Sequence, residues 1–462
     1  MKPAALLALL PLAACSMAPA YAPPQTAMPD AYKEVPPGWS LARPADEGER
    51  GPWWAMFHDP VLDDLETRMA QASPTLAAAV ARLDAATAAA RESRADLFPT
   101  LSAGADAARE RQSARRPNAT TSSEFNDVII GGALDYELDL WGRVRNSVRA
   151  ARADAQASAA DLQNARLSLQ AGLANAYFAL RGLDAQAALL RQTVAANGRA
   201  LDLTTTRHDG GIASGIDVNR AQTVLSAARA QLSDIARQRA IAEHAIAALI
   251  GEIASGFSIA PVDGLPAAPV PPLRSPSDLL QRRPDVAAAE RRMASANAQI
   301  GVARAAFFPT VTLGLSGGWE ATHGDLISTP TSFWGLGPLS ALVDLFDGGR
   351  RAARVRMSRA QYDEAAADYR GTVLGAFRDV EDALAANRHL AAQAGDSDAA
   401  AAAAQRTLDL ALTRYHDGAS DYLEVVVAQT SALDARRAAI EVRTAQLQAA
   451  IDLVRALGGD IG

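Results

Sequence analysis

The sequence predicts a mainly α-helical chain that also carries a few membrane-crossing β-strands and is built from two copies of one structural unit. Three observations predict this fold class: an internal repeat, helical segments of unusual length, and short runs of alternating polarity. Hydrophobic residues make up 49% of the 462 residues, but aromatic residues only 5%. Such a composition, in which alanine is prominent, suits long helices whose axes approach to within about 8 Å.

The repeat is a motif that occurs twice without a gap. Thr206-Arg207-x3-Gly211-x9-Ala221-Gln222-Thr223 returns 207 residues later as Thr413-Arg414-x3-Gly418-x9-Ala428-Gln429-Thr430. The motif Phe-Pro-Thr at 98–100 and the pair Asp-Leu at 139–140 also have later partners, at 308–310 and 344–345. We therefore expect a signal peptide at 1–14, an acylated tether at 15–60, a first repeat at 61–254, a proline-rich linker at 255–276 and a second repeat at 277–462.

Each repeat is predicted to contain a helix, two strands, a very long helix and a shorter helix. The helices are expected at 62–97, 143–207 and 216–250 in the first repeat, and at 277–307, 349–414 and 421–457 in the second. At 1.5 Å per residue the long helices reach about 100 Å. They must pack laterally along their length, because single helices owe most of their stability to packing.

Two runs alternate with a period of two, as strands do when one face is apolar. From Val128 to Leu140 the apolar residues share one face, while Asp135, Glu137 and Asp139 share the other. A second run, at 310–320, alternates likewise, and the partner runs at 100–110 and 333–346 alternate less cleanly. Runs of about ten residues suit tilted strands that cross an outer membrane. A small soluble sandwich between helices is the alternative.

Aromatic residues near the strand ends suit the girdle of a membrane barrel. They are Trp141, Trp319, Trp334 and Phe346. Four strands cannot close a barrel, since spanning barrels need about eight or more, and an open edge in lipid leaves backbone groups unpaired. The chain is therefore expected to pool its strands with other copies.

The N-terminus reads as a signal peptide that ends in a lipidation site. The apolar run after Lys2 is too short to span a bilayer and ends in Leu-Ala-Ala before Cys15. This ending resembles a bacterial lipobox, in which the cysteine thiol is acylated. The position after it is serine, not the aspartate associated with inner-membrane retention, so an outer-membrane location is expected. An incidental cysteine in a plain signal peptide is the alternative.

Composition argues against several functional classes. The net charge of −7 disfavours a nucleic-acid partner. The six histidines have no paired metal spacing, and Cys15 is the only cysteine, so we expect no metal site, no cofactor and no catalytic residues. The motif Gly-Ile-Ala-Ser-Gly at 211–215 is not a nucleophile elbow, because its serine is misplaced by one position. The chain is not expected to be an enzyme.

Several stretches resemble the TolC-like outer-membrane factor family, in its NodT/OprM-type lipoprotein branch. They are Cys15 with Pro19-x-Tyr21-x-Pro23, Trp53-Trp54-x2-Phe57-x-Asp59-Pro60-x-Leu62, Leu280-x-Arg282-Arg283-Pro284-Asp285-Val286 and Ile300-Gly301-Val302-Ala303-Arg304-Ala305-Ala306-Phe307-Phe308-Pro309. The resemblance implies a homotrimer: a 12-stranded β-barrel with four strands per subunit, continued by a long periplasmic α-helical barrel. It also implies an adaptor partner in the periplasm and a pump in the inner membrane.

The repeated motif then marks the two periplasmic turns. Gly211 and Gly418 lie where a long helix reverses into a shorter one, a position where glycine supplies positive φ. The resemblance implies that these tips dock adaptor hairpins. Arg207 and Arg414 lie in the last helical turn, where they complement the helix dipole, contact the adaptor, or do both.

The resemblance also implies a periplasmic gate at the tips. Asp217, Tyr415 and Glu424 match its closing network, and Leu423 matches an apolar constriction. Asp217 and Glu424 are alternatively ordinary acids in a first helical turn. Val427 stands where many relatives have an aspartate, which predicts a constriction that gates partly by dewetting.

The functional expectation is a passive outer-membrane exit duct of a tripartite efflux system, driven by a resistance-nodulation-division (RND) pump, which expels small toxic compounds. A duct for type I protein secretion shares this architecture and is the alternative. A coiled-coil lipoprotein without a pore is a third possibility, which the alternating strands disfavour.

Overall fold

The computed structural model describes residues 16–24, 31–35, 51–115, 122–271 and 282–459. Cys15 and the predicted signal peptide lie outside these ranges, as do parts of the predicted tether and linker. The helices are α1 (Pro60–Ala72), α2 (Pro74–Ala95), α3 (Arg143–Asp209), α4 (Gly215–Leu249), α5 (Pro284–Ala305), α6 (Arg350–His416) and α7 (Tyr422–Ala456). The strands are β1 (Thr100–Gln112), β2 (Ser123–Leu138), β3 (Thr310–Ala321) and β4 (Ser332–Leu342).

The order of elements repeats as the sequence predicts. A helical region, two strands, a long helix and a shorter helix occur twice, and the two long helices α3 and α6 each have 67 residues. The shorter helices α4 and α7 each have 35 residues. The equality of both pairs strengthens the case for duplication. The boundaries at 254 and 276 stay predictions.

The first predicted helix is interrupted. Instead of one helix at 62–97, α1 ends at Ala72 and α2 starts at Pro74, with Ser73 extended between them (φ −63°, ψ 119°). Proline lacks a backbone N–H and disfavours helical conformation in the residue before it, so a continuous helix breaks there. Asp59 caps α1 by accepting hydrogen bonds from the N–H groups of Val61 and Leu62.

The four strands form one antiparallel sheet in the order β1-β2-β3-β4. The register between β3 and β4 shifts between Leu313 and Leu315, where Gly337 and Pro338 lie on β4. A bulge of this kind accommodates a proline, which cannot donate a ladder hydrogen bond. Leu140 and Asp139, which we predicted within a strand, lie beyond the end of β2. Asp139 instead accepts hydrogen bonds from the backbone N–H groups of Val144 and Arg145 at the start of α3.

The chain separates into two compact units, and the long helices contribute to both. The first unit comprises Met1–Gln25, Arg82–Ala159 and Ala288–Arg370, and so contains the sheet. In it, residues 16–24 have no regular secondary structure but are held in place. The Asn297 side chain donates a hydrogen bond to the Pro19 carbonyl, and the Ser16 hydroxyl donates one to the Asn146 side chain.

The second unit comprises Thr26–Ala81, Ala160–Ala287 and Gly371–Gly462. A large apolar cluster in this unit joins α1, the middle of α3 and the last turns of α4 and α7, with Trp53, Tyr177, Phe178 and Ile246 fully or almost fully buried. Within the described ranges, no helix combines enough length with enough apolar character to cross a bilayer.

Candidate functional site

One face of the sheet is apolar across all four strands. Leu101 pairs with Leu134, Leu134 with Leu315, and Leu315 with Leu336. Directly paired residues project to the same face, so these four leucines form one row. Leu101, Leu315 and Leu336 are 78%, 43% and 73% exposed. The apolar side chains on this face are therefore exposed at the surface of the chain.

The opposite face is polar, as the alternation predicts. Glu137 pairs with Thr312, and Thr312 pairs with Ser340, whose hydroxyl lies 2.6 Å from that of Thr312. Asp135 lies on the same face, opposite Gly314. The sheet thus separates an apolar surface from a polar one, and a soluble sandwich would instead bury its apolar face.

The predicted girdle residues lie at the two ends of the strands. Trp319 and Trp334 lie at one end, where β3 finishes and β4 begins. Trp141 and Phe346 follow the other ends of β2 and β4. The Trp141 ring stacks on Phe308 with centroids 4.6 Å apart, and its Nε1–H donates to the Pro309 carbonyl at 2.8 Å. An amphipathic ring held in this way suits a membrane–water boundary.

Among the residues that the structure describes, the sheet has two unpaired edges, β1 and β4. Because the four strands are antiparallel, β1 and β4 run in opposite directions. The β4 edge of one copy can therefore pair antiparallel with the β1 edge of another. Such head-to-tail contacts produce a ring when the rotation closes.

The two helix reversals have matching geometry. Gly211 has φ 76° and Gly418 has φ 77°, which confirms the predicted positive φ at both turns. Ile212 N–H donates to the Arg207 carbonyl at 2.8 Å, and Ala419 N–H donates to the Arg414 carbonyl at 2.8 Å. Both turns thus close with the six-residue hydrogen bond of a Schellman motif.

The helices that follow the turns are capped at equivalent positions. The Ser214 side chain accepts a hydrogen bond from Asp217 N–H, and the Asp217 carboxylate accepts one from the Ser214 hydroxyl at 2.8 Å. Asp421 likewise accepts a hydrogen bond from Glu424 N–H at 3.2 Å. Asp217 and Glu424 are therefore the third residues of α4 and α7, where acids complement the helix dipole.

The two tip arginines make different contacts despite their equivalent positions. Arg207 Nη1 donates to the Tyr415 carbonyl at 2.7 Å, and its guanidinium lies 4.7 Å from the centre of the Tyr415 ring. Arg414 Nη1 instead lies 3.4 Å from Glu424 in a solvent-exposed pair. Arg207 thus complements the carbonyl end of the other long helix, α6, and links the two turns.

Tyr415 is buried inside a cluster at the tips. The cluster comprises Ala221, Ala411, Tyr415, Tyr422, Val425 and Ala428. The rings of Tyr415 and Tyr422 meet edge to face at 5.2 Å, and the Tyr415 hydroxyl donates to Thr204 Oγ1 at 3.5 Å. Burial, with added repulsion from Tyr415 and Asp217, raises the pKa of Tyr422 to about 12. The side chains of Tyr415 and Tyr422 are therefore both buried in the interior of one chain.

Three other predicted gate residues lie on the surface of α7: Leu423, Glu424 and Val427. Leu423 and Val427 are one helical turn apart and are 44% and 59% exposed. The Glu424 side chain is 43% exposed, whereas that of Asp217 is 18% exposed and lies near Arg220. The structure therefore places an apolar pair beside a carboxylate on one exposed surface, apart from the buried Tyr415.

Sequence reasoning missed two members of the tip. Tyr422 and Thr204 are both buried and contact Tyr415. Tyr422 begins a three-and-four spacing with Val425, Ala428 and Ala432, which could have identified it as a core position. Thr204 has no comparable signal. In the ranges that the structure covers, no group of three or more His, Cys, Asp or Glu could hold a metal ion.

Known proteins match this chain over nearly its whole length. The family model described as outer membrane efflux protein matches residues 67–252 and 275–459. The chain is 34% identical to outer membrane protein OprJ of Pseudomonas aeruginosa, over 98% of this chain and 95% of that protein. It is 33% identical to the toluene efflux pump outer membrane protein TtgC of Pseudomonas putida, over 97% and 93%. The structure of the outer-membrane channel OprN superposes with a TM-score of 0.90 at 30% identity, covering 96% of this chain and 99% of that chain.

Proposed function

This chain is an outer-membrane protein that belongs to the outer membrane efflux protein family, and on that premise we propose that three copies form the passive exit duct of a tripartite efflux system. The duct expels small toxic compounds from a Gram-negative cell. An RND pump in the inner membrane drives transport, and a periplasmic adaptor joins pump and duct. The related TtgC carries the name of a toluene efflux pump component, which favours small apolar cargo.

The observation that carries this proposal is the sheet with one apolar face and two open edges. In lipid, unpaired edge groups cost several kcal/mol each, about 2–7 by transfer measurements, so the edges must pair with other copies. Three copies supply twelve strands, whose apolar faces turn to lipid and whose polar faces line a pore. The aromatic residues at the two strand ends then mark the two membrane boundaries.

The tips are proposed as the gate and the adaptor-docking site. Around a threefold axis, Leu423, Glu424 and Val427 form rings of apolar and acidic side chains. Three carboxylates attract cations, while the apolar rings dewet a narrow pore. The turns at Gly211 and Gly418 present the backbone on which adaptor hairpins dock, and Asp217 and Tyr415 help to hold the closed arrangement.

Planar-bilayer conductance of the purified full-length protein tests the duct. We expect discrete ion-conducting steps that depend on protein concentration. A preparation that is folded by circular dichroism and reconstituted, in which neither the wild-type protein nor Glu424→Ala passes current, would contradict the proposal. It would also favour a structural lipoprotein without a pore.

Type I protein secretion is the second candidate, because it uses the same architecture. The periplasmic adaptor that binds the tips distinguishes efflux from secretion. Ile212 at the first turn is 76% exposed and offers a place for a photo-crosslinking residue. Capture of an RND adaptor in cells supports efflux, whereas capture of a type I adaptor supports secretion. A crosslinker at Ile241, which is 55% exposed in the second half of α4, is the control for capture away from the tips.

The duct is also proposed to be lipid-anchored through Cys15. Ser16, the next residue, contacts Asn146 near the start of α3, close in sequence to the end of β2. This contact holds Ser16 beside the start of α3. Cys15→Ser is expected to abolish incorporation of labelled palmitate while conductance remains. Retained labelling would contradict the assignment.

A further inference from the structure

A cavity of about 430 Å³ lies among α3, α6 and α7 within the second unit. Its apolar wall includes Leu203, Leu408 and Leu433. Its size lies within the range of small-molecule sites, which are typically about 300–1,000 Å³ and combine apolar walls with a few placed polar groups.

One residue that lines the cavity, Gln429, carries an unsatisfied acceptor. Gln429 is 7% exposed, and its Oε1 has no hydrogen-bond partner among the described residues. A buried carbonyl without a donor costs about 1–3 kcal/mol. An O–H or N–H donor on a ligand that reaches Gln429 would satisfy this acceptor.

The other end of the cavity carries a positioned cation. Arg436 is held by two neutral groups, with Nη1 3.4 Å from Gln405 Oε1 and Nη2 3.5 Å from Gln192 Oε1. Arg199 adds a second positive charge to the lining, and the described lining residues include no aspartate or glutamate. The cavity thus attracts an anion, which a guanidinium binds with charge-assisted hydrogen bonds.

The helix geometry fixes the spacing of these two groups. Gln429 and Arg436 are seven residues apart on α7, so they lie on the same face and are separated by about 10 Å along the axis. Leu433 lies between them. A complementary ligand is therefore an elongated molecule with an anionic group at one end, an apolar body and a hydrogen-bond donor at the other end.

We infer that this cavity is a binding site for amphipathic organic anions of that form, such as hydroxylated aromatic carboxylates. The site lies in the helical region and is distinct from the sheet and from the gate residues. Its walls nevertheless include Ala200 and Leu408, which pack against the cluster around Tyr415. The inference does not depend on which cargo passes through the duct.

Three matched ligands test the inference by calorimetry on the purified detergent-solubilised protein. The ligand 6-hydroxy-2-naphthoate has both end groups, 2-naphthoate lacks the hydroxyl, and 2-naphthol lacks the carboxylate. We expect the first to bind once per chain and at least about tenfold more tightly than either of the others. Loss of one hydrogen bond to a charged or buried group weakens binding by about that factor. Absence of saturable binding, or equal affinity for all three ligands, would overturn the inference.

Variants then test which residue binds each end of the ligand. Arg436→Gln should weaken both carboxylates about tenfold or more and leave 2-naphthol unchanged, while Gln429→Leu should remove the preference for the hydroxyl. Ala196→Phe, at an exposed alanine on the cavity wall, should block all three ligands without disturbing the core. Arg443→Gln is the control, because Arg443 pairs with Asp398 outside this cavity. Binding that persists in folded Arg436→Gln and Ala196→Phe proteins would overturn the assignment.

Discussion

The guanidinium of Arg207 lies 4.7 Å from the centre of the Tyr415 ring while its Nη1 donates to the Tyr415 carbonyl at 2.7 Å. The first turn thereby holds the end of the second long helix. Its repeat counterpart Arg414 makes only an exposed pair with Glu424 among the contacts that the structure describes. Duplication has thus produced two similar turns with different roles, and this difference gives a matched pair for mutation.

Arg207→Ala should loosen the tip more than Arg414→Ala. Loss of charge-assisted hydrogen bonds and the cation–π contact is expected to cost about 2–3 kcal/mol, whereas an exposed pair contributes about 0–1 kcal/mol. Hydrogen exchange of the amides at 416–421 measures the effect. Equal acceleration in both variants would show that the link to Tyr415 has no special role.

Removal of either tip acid should open the proposed gate. We expect Glu424→Ala and Asp217→Ala to raise single-channel conductance in planar bilayers, because each removes a charge and a contact from the proposed closed tip. Asp234→Ala is the control, since Asp234 is an exposed acid on α4 that pairs with Arg237. Unchanged currents in both tip variants would remove these residues from the gate.

Tyr415→Phe should have a smaller effect on conductance than either acid variant. The ring remains in its cluster, and the change deletes one long hydrogen bond, of 3.5 Å, to Thr204. Such a bond is worth on the order of 1 kcal/mol. A conductance increase larger than that of Glu424→Ala would contradict this ranking.

Glu66 should make the protein less stable as pH rises. It is fully buried, neither carboxylate oxygen has a hydrogen-bond partner in the described residues, and burial raises its pKa to about 9. The folded state therefore holds a proton that the unfolded state releases above its usual pKa of 4.5. Between these values stability falls by about 1.4 kcal/mol per pH unit.

The isosteric variant Glu66→Gln should remove this dependence and raise the melting temperature at pH 8. Thermal unfolding from pH 5 to pH 9 measures it, with the exposed Glu92→Gln as control. A wild-type melting temperature that is flat over this range would show that the Glu66 carboxyl is solvated in the folded protein.

The two faces of the sheet should respond differently to charge. Leu315 and Ser316 are neighbours near the middle of β3 and project to opposite faces. Leu315→Arg places a cation on the proposed lipid face, at a cost of about 2–4 kcal/mol per copy, and should reduce the amount of protein in the outer-membrane fraction. Ser316→Arg should insert normally. Equal insertion of both variants would contradict the assignment of the faces.

Much of the fold was predictable because it depends on local patterns. The helix reversals at Gly211 and Gly418 follow from glycine at a helix end, and the sheet faces follow from strict alternation. The break at Ser73 was also predictable in principle, since Pro74 carries the signal. The prediction that Leu140 belongs to a strand was wrong because Asp139 caps α3 instead.

The contacts that distinguish the two tips were not predictable from local patterns. Arg207 and Tyr415 are 208 positions apart in the sequence, and the motif gives Arg207 and Arg414 the same surroundings. Their different partners depend on how the helices pack. The burial of Glu66 is of the same kind, because a glutamate on an amphipathic helix ordinarily predicts an exposed position. Long-range packing therefore determines the tip contacts and the burial of Glu66, which hydrophobic periodicity does not predict.

One chain has too little sheet to close a barrel and must share it with identical copies. Native mass spectrometry of the detergent-solubilised full-length protein measures this directly. We expect a complex of three chains that survives release from the detergent micelle. A folded monomer as the dominant species at concentrations well above those in the membrane preparation would contradict it.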